Sequence, residues 1–267
     1  MPGRRGAPGR DGHPRGDRAG SAADRARTGA RASGTHSSRR MNQLAEAMGA
    51  TSYLEIGVAK GTTFRDIRVP HRTGVDPRFR GPTEPLEGPG VRLEHMTSDE
   101  FFATLPEDVT YDIVFIDGLH VFEQAYRDFC NAILHTHVRS VIVLDDTLPS
   151  DEYSALRDQE EAYRTRLSQT GSTDRAWHGD VYKVVYAIHE FHLGLDYATV
   201  TVGGNPQTIV WRAQNRRQPR GWSFADISAM TYARLQEDGD GVLRIHAGKP
   251  HGSQALDQGL VRRIRSV

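Results

Sequence analysis

The chain has 267 residues, enough for one large α/β domain with appendages or for two small domains. Its 34 Lys and Arg balance its 34 Asp and Glu, but residues 1–40 hold ten Arg and three Asp, which leaves residues 41–267 at −7. The single cysteine, Cys130, excludes an internal disulfide framework and suits a reducing cytoplasm. No stretch is apolar for long enough to span a membrane, and the basic front has no h-region of a secretory signal.

Residues 1–40 contain no Leu, Ile, Val, Phe, Tyr or Trp, so they have nothing to bury and are expected to be disordered. Two readings fit: a basic arm for nucleic acid or an acidic surface, or a dispensable tail ahead of an alternative start at Met41. The second is preferred, and Arg15-Gly16-Asp17 in so biased a tract is read as chance.

From Met41 the pattern alternates. Met41–Met48 reads as a short helix, and Ser52–Gly57 as a strand running into glycine. Gly61–Ile67 reads as a helix start, and Arg72–Asp76 as a strand stopped by Pro77. Val91–His95 is a third strand, and Ser98–Leu105 a helix with Ser98 as N-cap. Ile113–Ile116 and Val141–Leu144 are β-branched runs of buried parallel strands, joined by a helix with apolar residues at Val121, Phe122, Ala125, Phe129, Ala132 and Ile133. Beyond Pro149 come a charged helix over Asp151–Leu167 and an apolar helix from Tyr182. Strands at Tyr197–Val202 and Thr208–Trp211 are joined by the turn Gly203-Gly-Asn-Pro206, and a helix follows at Phe224–Leu235. This describes a doubly wound, Rossmann-like α/β sheet with an antiparallel edge. The organisation expected is a tail over 1–40, one domain over 41–215 and a weakly patterned extension over 216–267.

In such a sheet ligands bind beyond the carboxyl ends of the strands, where this chain places carboxylates. The first strand ends in Glu55-x-Gly57-x-x-x-Gly61, not the G-x-G-x-x-G of a dinucleotide site. A carboxylate ahead of the glycine argues for a ligand with a cationic amino group and no pyrophosphate. Asp76 follows Gly57 by nineteen residues and can accept hydrogen bonds from both hydroxyls of a ribose. Asp117, Asp145 and Asp146 end the fourth and fifth strands. Three clustered carboxylates repel unless a cation neutralises them, and oxygen ligands suit Mg²⁺. The plainer alternative is that they cap the segments that follow.

Glu55–Gly61, Val75-Asp76-Pro77, Ile116-Asp117-Gly118-Leu119-His120 and Val143–Thr147 together resemble the class I S-adenosylmethionine-dependent methyltransferases. More narrowly they resemble metal-dependent O-methyltransferases with Asp-Gly-x-His and Asp-Asp-Thr motifs, some acting on antibiotic sugars. The resemblance covers about residues 50–150, and Trp177–Lys183 is also similar to a segment of that family. It implies a seven-stranded sheet of order 3-2-1-4-5-7-6, with Glu55, Gly57 and Gly61 around the methionine part of the cofactor and Asp76 on the ribose. Thr97 and Ser98 would lie near the adenine, and Asp117 would border both cofactor and metal. Catechol O-methyltransferase, more distant, is similar in its acids after strands four and five, and places its catalytic lysine where this chain has His120. His120 is therefore the candidate general base, and His178 and Asp180 are candidate substrate contacts or a loop-ordering pair.

The family's Pro-Gly-Gly-like turn into strand five is replaced here by His135-Thr-His-Val-Arg-Ser140. The chain is thus expected to be a cytoplasmic, Mg²⁺-assisted O-methyltransferase of a small hydroxylated molecule. Neither membrane nor nucleic acid is an expected partner, and a homo-oligomer is allowed. The alternatives are a non-catalytic cofactor-binding partner protein, or an RNA methyltransferase that uses the basic tail.

Overall fold

The computed structural model describes residues 34–238, 240–247 and 256–266. Its centre is one sheet of eight strands: β1 (Ser52–Ile56), β2 (His71–Val75), β3 (Val91–Glu94), β4 (Tyr111–Ile116), β5 (Thr136–Leu144), β6 (Leu195–Val200), β7 (Gln207–Arg212) and β8 (Ile245–His246). They lie in the order β3-β2-β1-β4-β5-β7-β6-β8. The first five pair in parallel and β7 runs antiparallel between β5 and β6, as the hairpin signal implied. The eighth strand goes beyond the expected seven: a two-residue segment parallel to β6, too short to leave any period in the sequence.

Each face of the sheet carries its own core. On one lie α2 (Ser98–Thr104), α3 (Phe122–Leu134) and α5 (Tyr182–Phe191), packed on Leu54, Ile56, Val114, Ile116 and Leu144. Helix α5 is mostly apolar, and Tyr182–Glu190 are all buried, Lys183, His189 and Glu190 included, because α6 (Phe224–Ser228), α7 (Tyr232–Asp238) and α8 (Asp240–Leu243) lie outside it. The expected helix over Phe224–Leu235 is thus two helices. On the other face α1 (His36–Met48) and α9 (Gln258–Arg265) cover Tyr53, Phe115, Val143 and Trp211. Leu256, Leu260 and Ile264 are part of that core, so the segment beyond residue 215 contributes to both faces of the domain.

Three local expectations change. Helix α1 begins at His36 with Thr35 as N-cap, so the tail boundary drawn at residue 40 falls inside a helix. Arg40 on that helix is fully buried, held by Gln207 and by the carbonyls of Val202 and Asn205. A segment without apolar residues gave no sign of this, because what it buries is an ion. The Arg15–Asp17 tripeptide lies outside the described residues. Next, the helix start expected over Gly61–Ile67 is a single 3₁₀ turn, Phe64–Asp66. Last, α4 (Gln159–Thr170) starts eight residues later than the charged pattern from Asp151 suggested, at the side-chain cap of Asp158.

The unusual turn into β5 is tied down by side chains. His137 Nε2 pairs with Asp112 at 2.8 Å, and Ser140 Oγ donates to the Tyr111 carbonyl at 2.7 Å. Burial would raise the Asp112 carboxyl, but the Thr51 N–H, His137 and the Ser52 N–H and hydroxyl hold it down at about 2. A depressed folded-state value stabilises above the unfolded value of about 3.9 and is lost as pH falls through the folded one. Urea titration of Asp112→Asn should therefore show a deficit of about 1–2 kcal/mol at pH 7, after allowance for solvent screening. That deficit should shrink between pH about 4 and about 2; a deficit unchanged at low pH would contradict the assignment.

Candidate active site

Beyond the carboxyl ends of β1, β2 and β4 lies a cleft of 580 Å³. Of the candidate site residues, Gly57, Asp76, Thr97, Ser98, Asp117 and His120 line it. Gln124, Gln159, Arg175 and Trp177 also line it and were not singled out. Gly57 has φ +89, and a Cβ there would sit 2.0 Å from the Asp117 carbonyl oxygen, so only glycine lets β1 and β4 end this close together. Asp76 Oδ2 accepts from Ala59 N at 2.7 Å and Oδ1 from Arg78 N at 2.7 Å. Each oxygen keeps a lone pair for a ligand hydroxyl.

A smaller cavity of 170 Å³ adjoins the cleft and shares Gly57, Ala59, Arg80 and Asp117 with it. Glu55 lines this cavity; its carboxyl accepts the Tyr53 hydroxyl at 2.6 Å and is pushed well up by burial. Asp117 lines it as well, and Lys60 and Arg80 stand on its wall with the two carboxyls. Gly61 lines neither cavity: it closes the turn onto the Val58 carbonyl and abuts Leu86. The N-cap of α2 is Thr97 rather than Ser98. Thr97 and Glu100 form a reciprocal capping box, a T-x-x-E pattern that was present in the sequence.

Past the ends of β4 and β5, Asp117, His120 and Asp146 bring one ligand atom each within 4.8 Å of one another. His120 Nε2 is 3.5 Å from Asp117 Oδ1, and Nδ1 is 3.3 Å from Asp146 Oδ2. The ring stacks on Trp177 with centroids 4.8 Å apart, and Trp177 is pinned by donation from Nε1 to the Leu156 carbonyl at 2.7 Å. Asp146 has φ +57, a left-handed conformation that turns its carboxylate away from that of Asp145, and Asn205 Nδ2 donates to its Oδ1 at 2.9 Å.

Asp145 does not belong to this group. Its Oδ1 accepts the Asp146 N–H at 2.9 Å, and it sits in the field of Arg40 and near Gln207. Of the expected trio of Asp117, Asp145 and Asp146, the structure brings Asp117 and Asp146 together with His120. His178 Nε2 reaches Asp146 Oδ1 at 3.8 Å, and burial lowers its imidazole to about 4, so it stands neutral beside the group at pH 7. Asp180 serves structure: Oδ1 caps α3 by accepting the Phe122 N–H at 2.7 Å, and Oδ2 pairs with Arg157 at 2.9 Å and Lys183 at 3.1 Å. The loop that carries Trp177 and His178 is held by Arg166, which bonds Asp151 and the carbonyls of Asp174 and Ala176. Gly179 lets that loop touch the site, since a Cβ there would lie 1.8 Å from the His120 carbonyl oxygen.

The electrostatics follow from this crowding. Burial pushes the Asp117 carboxyl up to about 7, although 33 % of its side chain still faces the cleft. Asp145 and Asp146 are likewise raised, first by burial and then by the neighbouring carboxylate. The Nδ1 atoms of His120 and His178 are buried without a hydrogen-bond partner among the described residues. Two converging carboxylates with no cation between them, flanked by such imidazoles, form a donor set that fits a divalent metal ion.

Residues 54–147 match a family described as "Methyltransferase domain". Over those residues the chain is similar to methyltransferase domains. The strand order and the acids at the strand ends agree with the match. No curated protein matches the chain. Among solved structures, the chain is similar to cofactor-bound Rv0187 from MTB, at 18% identity and TM-score 0.49 over 70% of this chain and 84% of that one. It is also similar to the O-methyltransferase TomG of Streptomyces achromogenes, at 16% identity and TM-score 0.45 over 66% and 79%. A third is an O-methyltransferase of Bacillus cereus solved with SAH, at 15% identity and TM-score 0.44 over 70% and 84%.

Proposed function

We propose that the chain is a methyltransferase that acts on a hydroxyl of a small molecule, with His120 as proton acceptor and Asp117 and Asp146 as ligands of a divalent cation, Mg²⁺ by preference. The observation that carries this is the convergence of Asp117, His120 and Asp146, of which Asp117 and His120 line the cleft. S-adenosylmethionine, when bound, supplies an electrophilic methyl on a sulfonium sulfur, which leaves with its bonding pair as the acceptor oxygen forms the new C–O bond. Asp76 would hold the ribose, and Glu55 and Asp117 the amino group, which fixes the donor. The acceptor's proton passes to Nε2 of His120, because Nδ1 is sealed from solvent. The stack on Trp177 holds the ring for that transfer. A cation on Asp117 and Asp146 would lower the hydroxyl's pKa and supply the positive charge these raised carboxyls lack.

The test is transfer of labelled methyl to a panel of hydroxylated metabolites, with and without chelator. Turnover on a hydroxyl that stops on chelation and returns with Mg²⁺ supports the proposal. Transfer that is indifferent to chelator would remove the cation, and transfer only to nitrogen would remove the O-specificity. The nucleic-acid alternative rests on the basic tail, of which residues 1–33 lie outside the described residues.

A further inference from the structure

At the opposite end of the strands from the cleft, a second cavity of 370 Å³ lies between the start of β6, the end of β7 and α9. Four guanidinium groups line it, from Arg216, Arg217, Arg244 and Arg263, against one carboxylate, Asp196. Three of the four are held in place by the fold. Arg217 donates to the carbonyls of Leu195 at 2.7 Å and Ile188 at 2.9 Å, and its guanidinium lies 4.9 Å from the Tyr197 ring centroid. Arg244 pairs with one oxygen of Asp196. Arg263 pairs with the other at 3.1 Å and lies 5.5 Å from the ring centroid of Trp211. Arg216 is exposed and makes no hydrogen bond or ion pair with any described residue.

Four cations facing one anion in a concave site repel one another, and although backbone carbonyls take up donors of Arg217, they leave the excess positive charge in place. Preorganised guanidinium forks match phosphate oxygens bidentately. The volume falls within the small-molecule range of roughly 300–1,000 Å³, and the recess favours a compact ligand over an extended strand. We propose that this cavity is a binding site for a small polyanion of the pyrophosphate class, separate from the methyl-transfer cleft, with Arg216 as the free ligand and Arg217, Arg244 and Arg263 as the fixed ones.

The probe is inorganic pyrophosphate, titrated calorimetrically into the full chain at moderate salt, beside Arg216→Glu and Arg216→Ala. Neither variant loses an internal contact, and unchanged melting without pyrophosphate checks the fold. The expected result is saturable one-to-one binding, weakened at least tenfold by Arg216→Glu and less by Arg216→Ala, with S-adenosylhomocysteine affinity unchanged. No saturable binding, or equal binding by wild type and Arg216→Glu, would overturn the proposal. So would tight binding of a single-stranded RNA that depends on Arg216 while pyrophosphate fails to bind, since the patch would then be a nucleic-acid surface.

Discussion

Replacing His120 by alanine is expected to lower turnover by about 10²–10⁴-fold, the usual contribution of a positioned general base. Affinity for S-adenosylhomocysteine should largely hold, because of the donor's anchors only Asp117 lies beside the imidazole, at 3.5 Å, while Asp76 and Glu55 make no bond to it. The ring stands between two carboxylates at 3.5 and 3.3 Å and stacks on Trp177. It could thus accept a proton or supply a nitrogen to a cation. Two readouts separate these roles. As proton acceptor, His120→Ala loses turnover while Mg²⁺ still binds; as ligand, it loses both, and metal affinity falls with activity. Near-normal turnover with metal bound would place the base elsewhere. His178, 3.8 Å from Asp146, is the next candidate.

The second large effect concerns stability. Arg40→Ala should destabilise the fold by about 3–5 kcal/mol, since it leaves buried acceptors unsatisfied at about 1–3 kcal/mol each. Burial pulls this guanidinium down to about 10 while the charge of Asp145 pushes it back up. Its removal leaves Gln207 Oε1 and the carbonyls of Val202 and Asn205 without their donor, and Asp145 without its counter-charge. Against a total stability of 5–15 kcal/mol for most domains, this is a large fraction. Thermal melting should fall by on the order of 10 °C. A truncation that starts at Met41 should do the same. A fall of under about 1 kcal/mol would mean that Arg40 is not the counter-ion of Asp145.

Much of the fold could be read from the residues. The β-branched runs at Ile113–Ile116 and Val141–Leu144 had one reading as buried parallel strands, and Gly203–Pro206 one reading as a hairpin turn. The place of Asp76 at the end of β2 was legible because its distance from Gly57 spans the single crossover from β1 to β2. The misses have physical causes. Asp145 and Asp146 are chemically alike in the sequence, and it took the structure, with its left-handed backbone at Asp146, to place Asp146 beside Asp117 and His120. Arg40 and Asn205 reach the site from 105 residues before Asp145 and 59 residues after Asp146, distances over which no pattern speaks. Asp180 carried the appearance of a site residue because a buried helix cap and a substrate contact use the same carboxylate. Trp177 was noticed only as part of a similar segment; that it would support His120 required the geometry.

The central claim is that the cleft beyond β1, β2 and β4 holds S-adenosylmethionine. Isothermal titration of S-adenosylhomocysteine into the full chain and into Asp76→Ala tests it most directly. One-to-one binding by the wild type, weakened at least tenfold in Asp76→Ala, which loses the ribose hydrogen bonds and the brace to Ala59 and Arg78, is the predicted result. Absence of binding, or equal affinity in both proteins, would contradict the account.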